Sequence, residues 1–406
     1  MHLTYLAALT GLFTGPLAPM VGVSAHNLVI SHMSPGGIYP LTYTPGSNGA
    51  RGTVQVGTSV PGGATVPGWM TYDPVDKTLY VLDENQGFPG YGVFGAMVTG
   101  WQIHTNNDSF GLMGAAHTDG GDVHGSVYGG PDGRSFVAMA GYYTSSITTL
   151  ELPIDSGSRV LQKEHFTMSR PGPVKSRQDK PHPNAIFPDP TQRFLLVPDL
   201  GADVIRIFAV DPGFGTLNPC RPAKTGDGDG PRHGTFYQTA GNASTVLYVV
   251  NELSNTVSVW TLDYPPASDR DGCLSLTKTQ VISTFAPGIS APSPNAKAAE
   301  VHVRDEHLYA SNRNDQLFGS QQDSIAHYNI DPATGTLTWG ESASAHAWCP
   351  TTFDINRNGT LVAVGGQATA KVVILERDPA TGKLGPDAVA VSPMIGYGGR
   401  LMPWMG

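Results

Sequence analysis

The segment Leu247-Tyr248-Val249-Val250-Asn251-Glu252-Leu253-Ser254-Asn255-Thr256-Val257-Ser258-Val259-Trp260 decides the fold. A continuous apolar run enters a short polar turn and leaves as an alternating run, the pattern of two antiparallel strands. The first run recurs along the chain as Leu79-Tyr80-Val81, Phe136-Val137-Ala138, Leu195-Leu196-Val197, Leu308-Tyr309-Ala310 and Leu361-Val362-Ala363. The steps between central residues are 57, 59, 52, 61 and 53. An earlier strand, Asn27 to Ser31, completes seven units. Upstream of the run stands another strand entering a turn, as in Met70-Thr71-Tyr72-Asp73-Pro74 or Phe353-Asp354-Ile355-Asn356. Downstream comes an alternating strand such as Val204-Ile205-Arg206-Ile207-Phe208, and two units close on Asp331-Pro332-Ala333-Thr334-Gly335 and Asp378-Pro379-Ala380-Thr381-Gly382 before a last strand.

Four short strands per unit, seven times, predict an all-β, seven-bladed β-propeller of four-stranded antiparallel blades. A β-helix needs much shorter coils, and a pair of sandwiches would not repeat so regularly. Composition agrees. Gly and Pro number 50 and 33 in 406 residues, the currency of turns, while charged residues are only 14%. The stretches 46–63, 169–180 and 286–297 read as surface loops, because the repeat continues in phase across them. The tail 395–404 reads as a closing strand that shares a blade with the N-terminal strand and so removes exposed edges.

Residues 1–25 read as a signal peptide. Leu3 to Val23 carries no charge, and Val23-Ser24-Ala25 offers a small-residue cleavage site. The propeller then occupies 26–406 and the protein is expected to be secreted. Three sequons, at Asn107, Asn242 and Asn358, fit a glycoprotein. Cys220 and Cys273 can pair in an oxidising compartment, which leaves Cys349 at the start of a strand. A net charge of −9 argues against nucleic acid as a partner, and the prolines in the apolar N-terminal stretch argue against a membrane-spanning helix. The sequence is silent on oligomeric state.

Superposing the units places the site. Pro181-His182-Pro183-Asn184 and Pro231-Arg232-His233-Gly234 fall at equivalent first-strand starts, with Pro67-Gly68-Trp69 as a third counterpart. Val249-Val250-Asn251-Glu252 and Ala310-Ser311-Asn312-Arg313 fall at equivalent second-strand ends. Antiparallel pairing sets those starts beside those ends, so His182, Arg232, Glu252 and Arg313 should converge near the channel mouth. Guanidiniums can hold a carboxylate or a developing oxyanion, and an imidazole or carboxylate can move protons, so no cofactor or metal is called for. An Arg–Glu pair can equally serve to tie two blades together. Asp199-Leu200-Gly201-Ala202-Asp203 reads as a blade turn rather than a calcium loop. Gly226 to Gly230 reads as a flexible run, and His124, His302 and His346 as structural histidines.

At these residues the chain resembles the seven-bladed lactonase family, which includes propeller-type 6-phosphogluconolactonases and fungal 3-carboxy-cis,cis-muconate cyclases. The likeness is carried by His182-Pro183-Asn184 with Pro188-Asp189, Asp199 to Asp203, Gly230-Pro231-Arg232-His233, Asn251 to Val257 and Ser311-Asn312-Arg313, and is clearest from 180 to 385. The resemblance implies a site of one His, two Arg and one Glu on His182, Arg232, Glu252 and Arg313, the set reached from the repeats. The chain departs from the family at Ala140-Gly141-Tyr142 and at Ile30-Ser31-His32. The expected activity is metal-independent formation or hydrolysis of a lactone, acting on a small carboxylic acid or its lactone. Glu252 or His182 is the expected proton carrier. The other reading is a non-catalytic secreted propeller that binds an acidic metabolite or a glycan, with Phe88 to Trp101 as an aromatic surface.

Overall fold

Each apolar run becomes the second strand of a sheet. There it is covered on both faces by neighbouring sheets, which is why it reads as continuous rather than alternating. Thr78–Asp83, Phe136–Gly141, Phe194–Asp199, Thr245–Asn251 and Leu361–Gly366 are buried from end to end. The computed structural model describes residues 25–33, 36–47, 50–60, 64, 66–85, 97–104, 109–155, 157–269, 272–395, 400–401 and 404. The signal-peptide segment, the sequon at Asn107 and most of the Phe88–Trp101 stretch lie outside the described residues.

The strands form seven antiparallel sheets, and the chain is a seven-bladed β-propeller. Blades two to seven start at Pro67, Asp122, Phe187, Pro231, Lys297 and Pro350 and run inner to outer in sequence order. Blade four has a two-residue inner strand, Phe187–Pro188, and an extra strand, Ala223–Lys224. Blade one joins the two ends of the chain. Arg400–Leu401 forms its inner strand and pairs with Ile30 and Ser31 of His26–Met33. The expected closing strand is therefore present.

The core lies between blades. One cluster joins Tyr248, Val257 and Val259 of blade five to Val301, Leu308 and Tyr328 of blade six. Buried tyrosines need a partner for the hydroxyl. Tyr248 donates to Gly335 O at 2.7 Å and Tyr128 to Gly215 O at 2.6 Å, each in a turn of the following blade. Both glycines have positive φ, +71° and +67°, a conformation these tight turns require. Cys220 and Cys273 form the expected disulfide, which ties the outer parts of blades four and five. Cys349 precedes the inner strand of blade seven and is half-buried.

Candidate active site

Register brings the four residues predicted from the repeats to one end of the channel. Pro231 pairs with Asn251, Lys297 pairs with Arg313, and Pro183 bridges Asp199. The inner strand of blade five shifts register between Pro231 and His233, so Arg232 sits on a bulge. Equivalent shifts fall at Gly68, Val123 and Thr351. A bulge bends the strand and re-aims one side chain, and here it releases a residue from the ladder just where the channel opens. Val123 and Arg232 both line the resulting cavity, of about 510 Å³, together with His182, Asn184, Glu252 and Arg313.

Glu252 is at the centre. It is 2% exposed, and three guanidiniums surround it. Its oxygens lie 2.6 Å from Arg177 Nη1, 2.8 Å from Arg313 Nη2 and 3.4 Å from Arg232 Nε. Arg232 also donates to Ala299 O at 2.6 Å. Burial pushes the Glu252 carboxyl up, but Arg313, Arg177 and Arg232 together outweigh it and hold the group at about 2. A carboxylate held so low is poorly suited to donating or taking up a proton near neutral pH, which weighs against Glu252 as the proton carrier. Its charge instead fixes the three guanidiniums.

His182 is buried on the same cavity wall, its ring stacked on Tyr142 at a centroid distance of 4.2 Å. Nδ1 lies 2.8 Å from the Tyr142 carbonyl oxygen, which can only accept, so Nδ1 carries a proton. Nε2 lies 2.9 Å from Asp179 Oδ1. The arrangement fixes the ring by one nitrogen and leaves the other beside a carboxylate at the cavity mouth. The His182 amide donates to Asp199 Oδ1 at 2.7 Å, and Asp199 also accepts from Ala202 N and Arg206, so the Asp199–Asp203 segment is a blade turn.

Arg177 and Asp179 were not found from the repeats. Both lie in the connection between the outer strand of blade three, Val160–His165, and the inner strand of blade four, which crosses the mouth. The connection is anchored by Gln178, fully buried, whose side-chain amide accepts from Val174 N and donates to Leu200 O. Arg177 also donates to the Tyr142 hydroxyl at 3.2 Å. No repeat counterpart could flag these residues. The one available signal was a basic and acidic cluster, Lys175 to Lys180, in a loop next to a predicted site residue.

The Gly226–Gly230 run, expected to be flexible, is pinned. Gly228 N and Gly230 N donate to the Asp203 carboxylate at 2.7 and 2.8 Å, and Gly226 N donates to Asp229 at 2.6 Å. Gly230 O in turn accepts from Glu252 N at 2.8 Å, so the run sets the height of both Arg232 and Glu252. Deeper in the channel, His124 stacks on Trp69 at 4.2 Å and meets His233, whose Nδ1 lies 3.0 Å from Glu300. His302 packs edge-on against Phe353. His346 reaches the Pro386 carbonyl oxygen at 3.0 Å.

Known proteins similar to this chain point to its family. The family described as Lactonase, 7-bladed beta-propeller, matches residues 27–393. The probable 6-phosphogluconolactonase of Arthroderma benhamiae is 37% identical over 225 residues, 55% of this chain, and the match spans only about half (54%) of that relative's length. The 6-phosphogluconolactonase of Bacillus subtilis is 26% identical over 357 residues, 85% of this chain and 92% of its own. In fold, the chain is similar to the periplasmic gluconolactonase PpgL of Pseudomonas aeruginosa, with a TM-score of 0.78, 23% identity, and coverage of 94% of this chain and 99% of that one. A match that runs from the first described strand to the last strand of blade seven places this chain in the lactonase family of seven-bladed β-propellers.

Proposed function

We propose that the protein hydrolyses a small aldonolactone to its hydroxy acid without a metal ion, and that His182 with Asp179, and the arginines around Glu252, carry the reaction. The observation behind this reading is the single cavity that sets a carboxylate-paired imidazole opposite guanidiniums held in place by a buried carboxylate. Family membership supports lactone chemistry, and relatives named 6-phosphogluconolactonase and gluconolactonase support a sugar lactone.

In the proposed step, a water oxygen attacks the lactone carbonyl carbon and the water proton passes to the Asp179 carboxylate, which His182 Nε2–H holds at the cavity mouth by a charge-assisted hydrogen bond. The carbonyl electrons move onto oxygen, opposite Arg232 and Arg313, which stabilise the oxyanion. Collapse breaks the ring C–O bond, and the leaving oxygen takes the proton back from Asp179. The product is the open hydroxy acid, which releases one proton to solvent at neutral pH. The cyclising reaction of a muconate would use the same arginines, with His182 rather than Glu252 as the proton donor. Passage through a secretory compartment belongs to this reading, supported by the apolar stretch Leu3–Val23 and by the Cys220–Cys273 disulfide.

The test is a panel of gluconolactone, 6-phosphogluconolactone and 3-carboxy-cis,cis-muconate, followed by NMR with and without EDTA. Ring opening of an aldonolactone, unchanged by EDTA, is expected. Turnover of the muconate alone would replace hydrolysis with cyclisation. A folded protein that binds sugar acids but turns nothing over would favour the binding propeller.

A further inference from the structure

Besides Glu252, a second buried carboxylate, Glu84, lines the cavity at the channel mouth. We infer that Glu84 is a specificity-determining residue, which accepts hydrogen bonds from the hydroxyl groups of the lactone and so turns the carbonyl towards the arginines. The assignment rests on the lactonase reading of the cavity and adds the residue that recognises the hydroxylated side of the ring.

One repeat position supplies much of the cavity wall. The amides of Glu84, Tyr142, Glu252 and Gln367 donate to Val66 O, Gly121 O, Gly230 O and Cys349 O at 2.8, 2.9, 2.8 and 2.9 Å. Each of the four follows the second-strand residue that pairs with the start of its blade's inner strand, and each lines the cavity. Glu84 in blade two is thus the counterpart of Glu252 in blade five. The two differ in what stands on the neighbouring bulge. In blade five the bulge carries Arg232, whose Nε lies 3.4 Å from the Glu252 carboxylate. In blade two it carries Gly68. A Cβ at Gly68 would fall 2.5 Å from Glu84 Cβ and 2.7 Å from Glu84 Oε2, so the Glu84 side chain fills the space that any larger residue there would take. Where blade five places a cation, blade two makes room for the carboxylate itself.

The two walls face each other. Blades two and five stand three steps apart in a ring of seven. One residue deeper on each inner strand, the rings of Trp69 and His233 meet across the channel at 5.5 Å. Above that contact Glu84 lines one side of the cavity, and Arg232 and Arg313 line the other. Hydrogen-bond polarity then sets the direction of a bound lactone. Its carbonyl and ring oxygens can only accept, and guanidiniums can only donate. A carboxylate can only accept, with lone pairs for about four bonds, and the donors of a sugar lactone are its hydroxyl groups. Glu84 is 8% exposed, so a hydroxyl laid against it is shielded from competing water. The reverse orientation would set the carbonyl oxygen against the carboxylate, two acceptors with no proton between them.

The experiment is calorimetric titration with glucono-δ-lactam and δ-valerolactam, which share the ring and its carbonyl, resist hydrolysis and differ in the hydroxylated substituents. Binding needs no turnover, so it is read separately from activity. The intact protein should bind the hydroxylated lactam about tenfold or more tightly than the plain one. Glu84→Met keeps the side-chain length without an oxygen and should reduce that preference about tenfold, the scale of one hydrogen bond to a charged group. Glu84→Gln keeps one acceptor and should lose only part of it, and this variant decides the matter if Glu84→Met does not fold in thermal melts. Equal affinity of the intact protein for the two lactams, including no measurable binding of either, would overturn the assignment. So would an unchanged preference in the folded variant, even with both affinities lowered together, the mark of a merely structural residue. A preference that depends on Glu84 in a protein that opens no lactone would support the recognition while ending the lactonase reading.

Discussion

With three guanidiniums at salt-bridge distance, Glu252 stays charged far below the usual carboxylate range. Its folded pKa is depressed, so its contribution to stability is complete above the unfolded carboxyl value and is lost as pH falls through about 2. Replacing it with an amide leaves guanidiniums facing one another in a buried place. Glu252→Gln should therefore cost about 3 kcal/mol of stability, measured by urea unfolding at pH 7, because removing one partner strands the others. An unchanged midpoint would mean that the cluster is solvated and that Glu252 is dispensable to it. His182 differs in kind, since its ring nitrogens face a carbonyl and an exposed Asp179 rather than the arginines. His182→Gln should slow lactone opening about 10²- to 10⁴-fold while Arg232, Arg313 and Glu252 keep their contacts. A variant with the wild-type rate would remove His182 from the chemistry.

Between strands, the pair His327–His307 should make the fold sensitive to acid. His327 Nε2 lies 3.0 Å from His307 Nδ1, the His327 ring stacks on Tyr309, and Arg377 Nε donates to the Tyr309 hydroxyl. Burial, followed by His307 and Arg377, holds His327 down at about 4, and burial followed by Arg377 lowers His307. The unfolded chain takes up protons first, near the usual histidine value. Stability is then complete above about 6.5 and declines as pH falls towards 4. His327→Phe should flatten that decline between pH 7.5 and 5 in thermal melts, and a variant as acid-sensitive as the parent would contradict the assignment. The strand pairs that made the site were legible because each blade repeats them. Pro231 opposite Asn251 and Lys297 opposite Arg313 follow from one register. Arg177 and Asp179 were not legible, because their loop has no counterpart in other blades. The protonation state of Glu252 was not legible either, because it depends on how many charges the fold gathers around it.

At the scale of the whole ring, the ends of the chain meet in blade one. Trp404 packs in the cluster shared by blades one and seven, and its indole N–H donates to Asp354 O at 3.3 Å. Trp404→Ala should cost about 3 kcal/mol by urea unfolding, the usual cost of emptying a buried Trp site, and a neutral result would show that closure does not rely on the tail. Seven blades and their closure were readable from spacing alone, whereas the strap across the mouth was not, and the strap gives the cavity its third arginine. The measurement that bears most directly on the whole account is the rate of acid release from gluconolactone and 6-phosphogluconolactone, by pH-stat, for the intact protein and for Arg313→Gln. The account predicts ring opening well above the spontaneous rate and a loss of about 10²–10³ in the variant, as expected when an oxyanion partner is removed. Ring opening at the spontaneous rate with both lactones, or an equal rate in a folded Arg313→Gln protein, would contradict it.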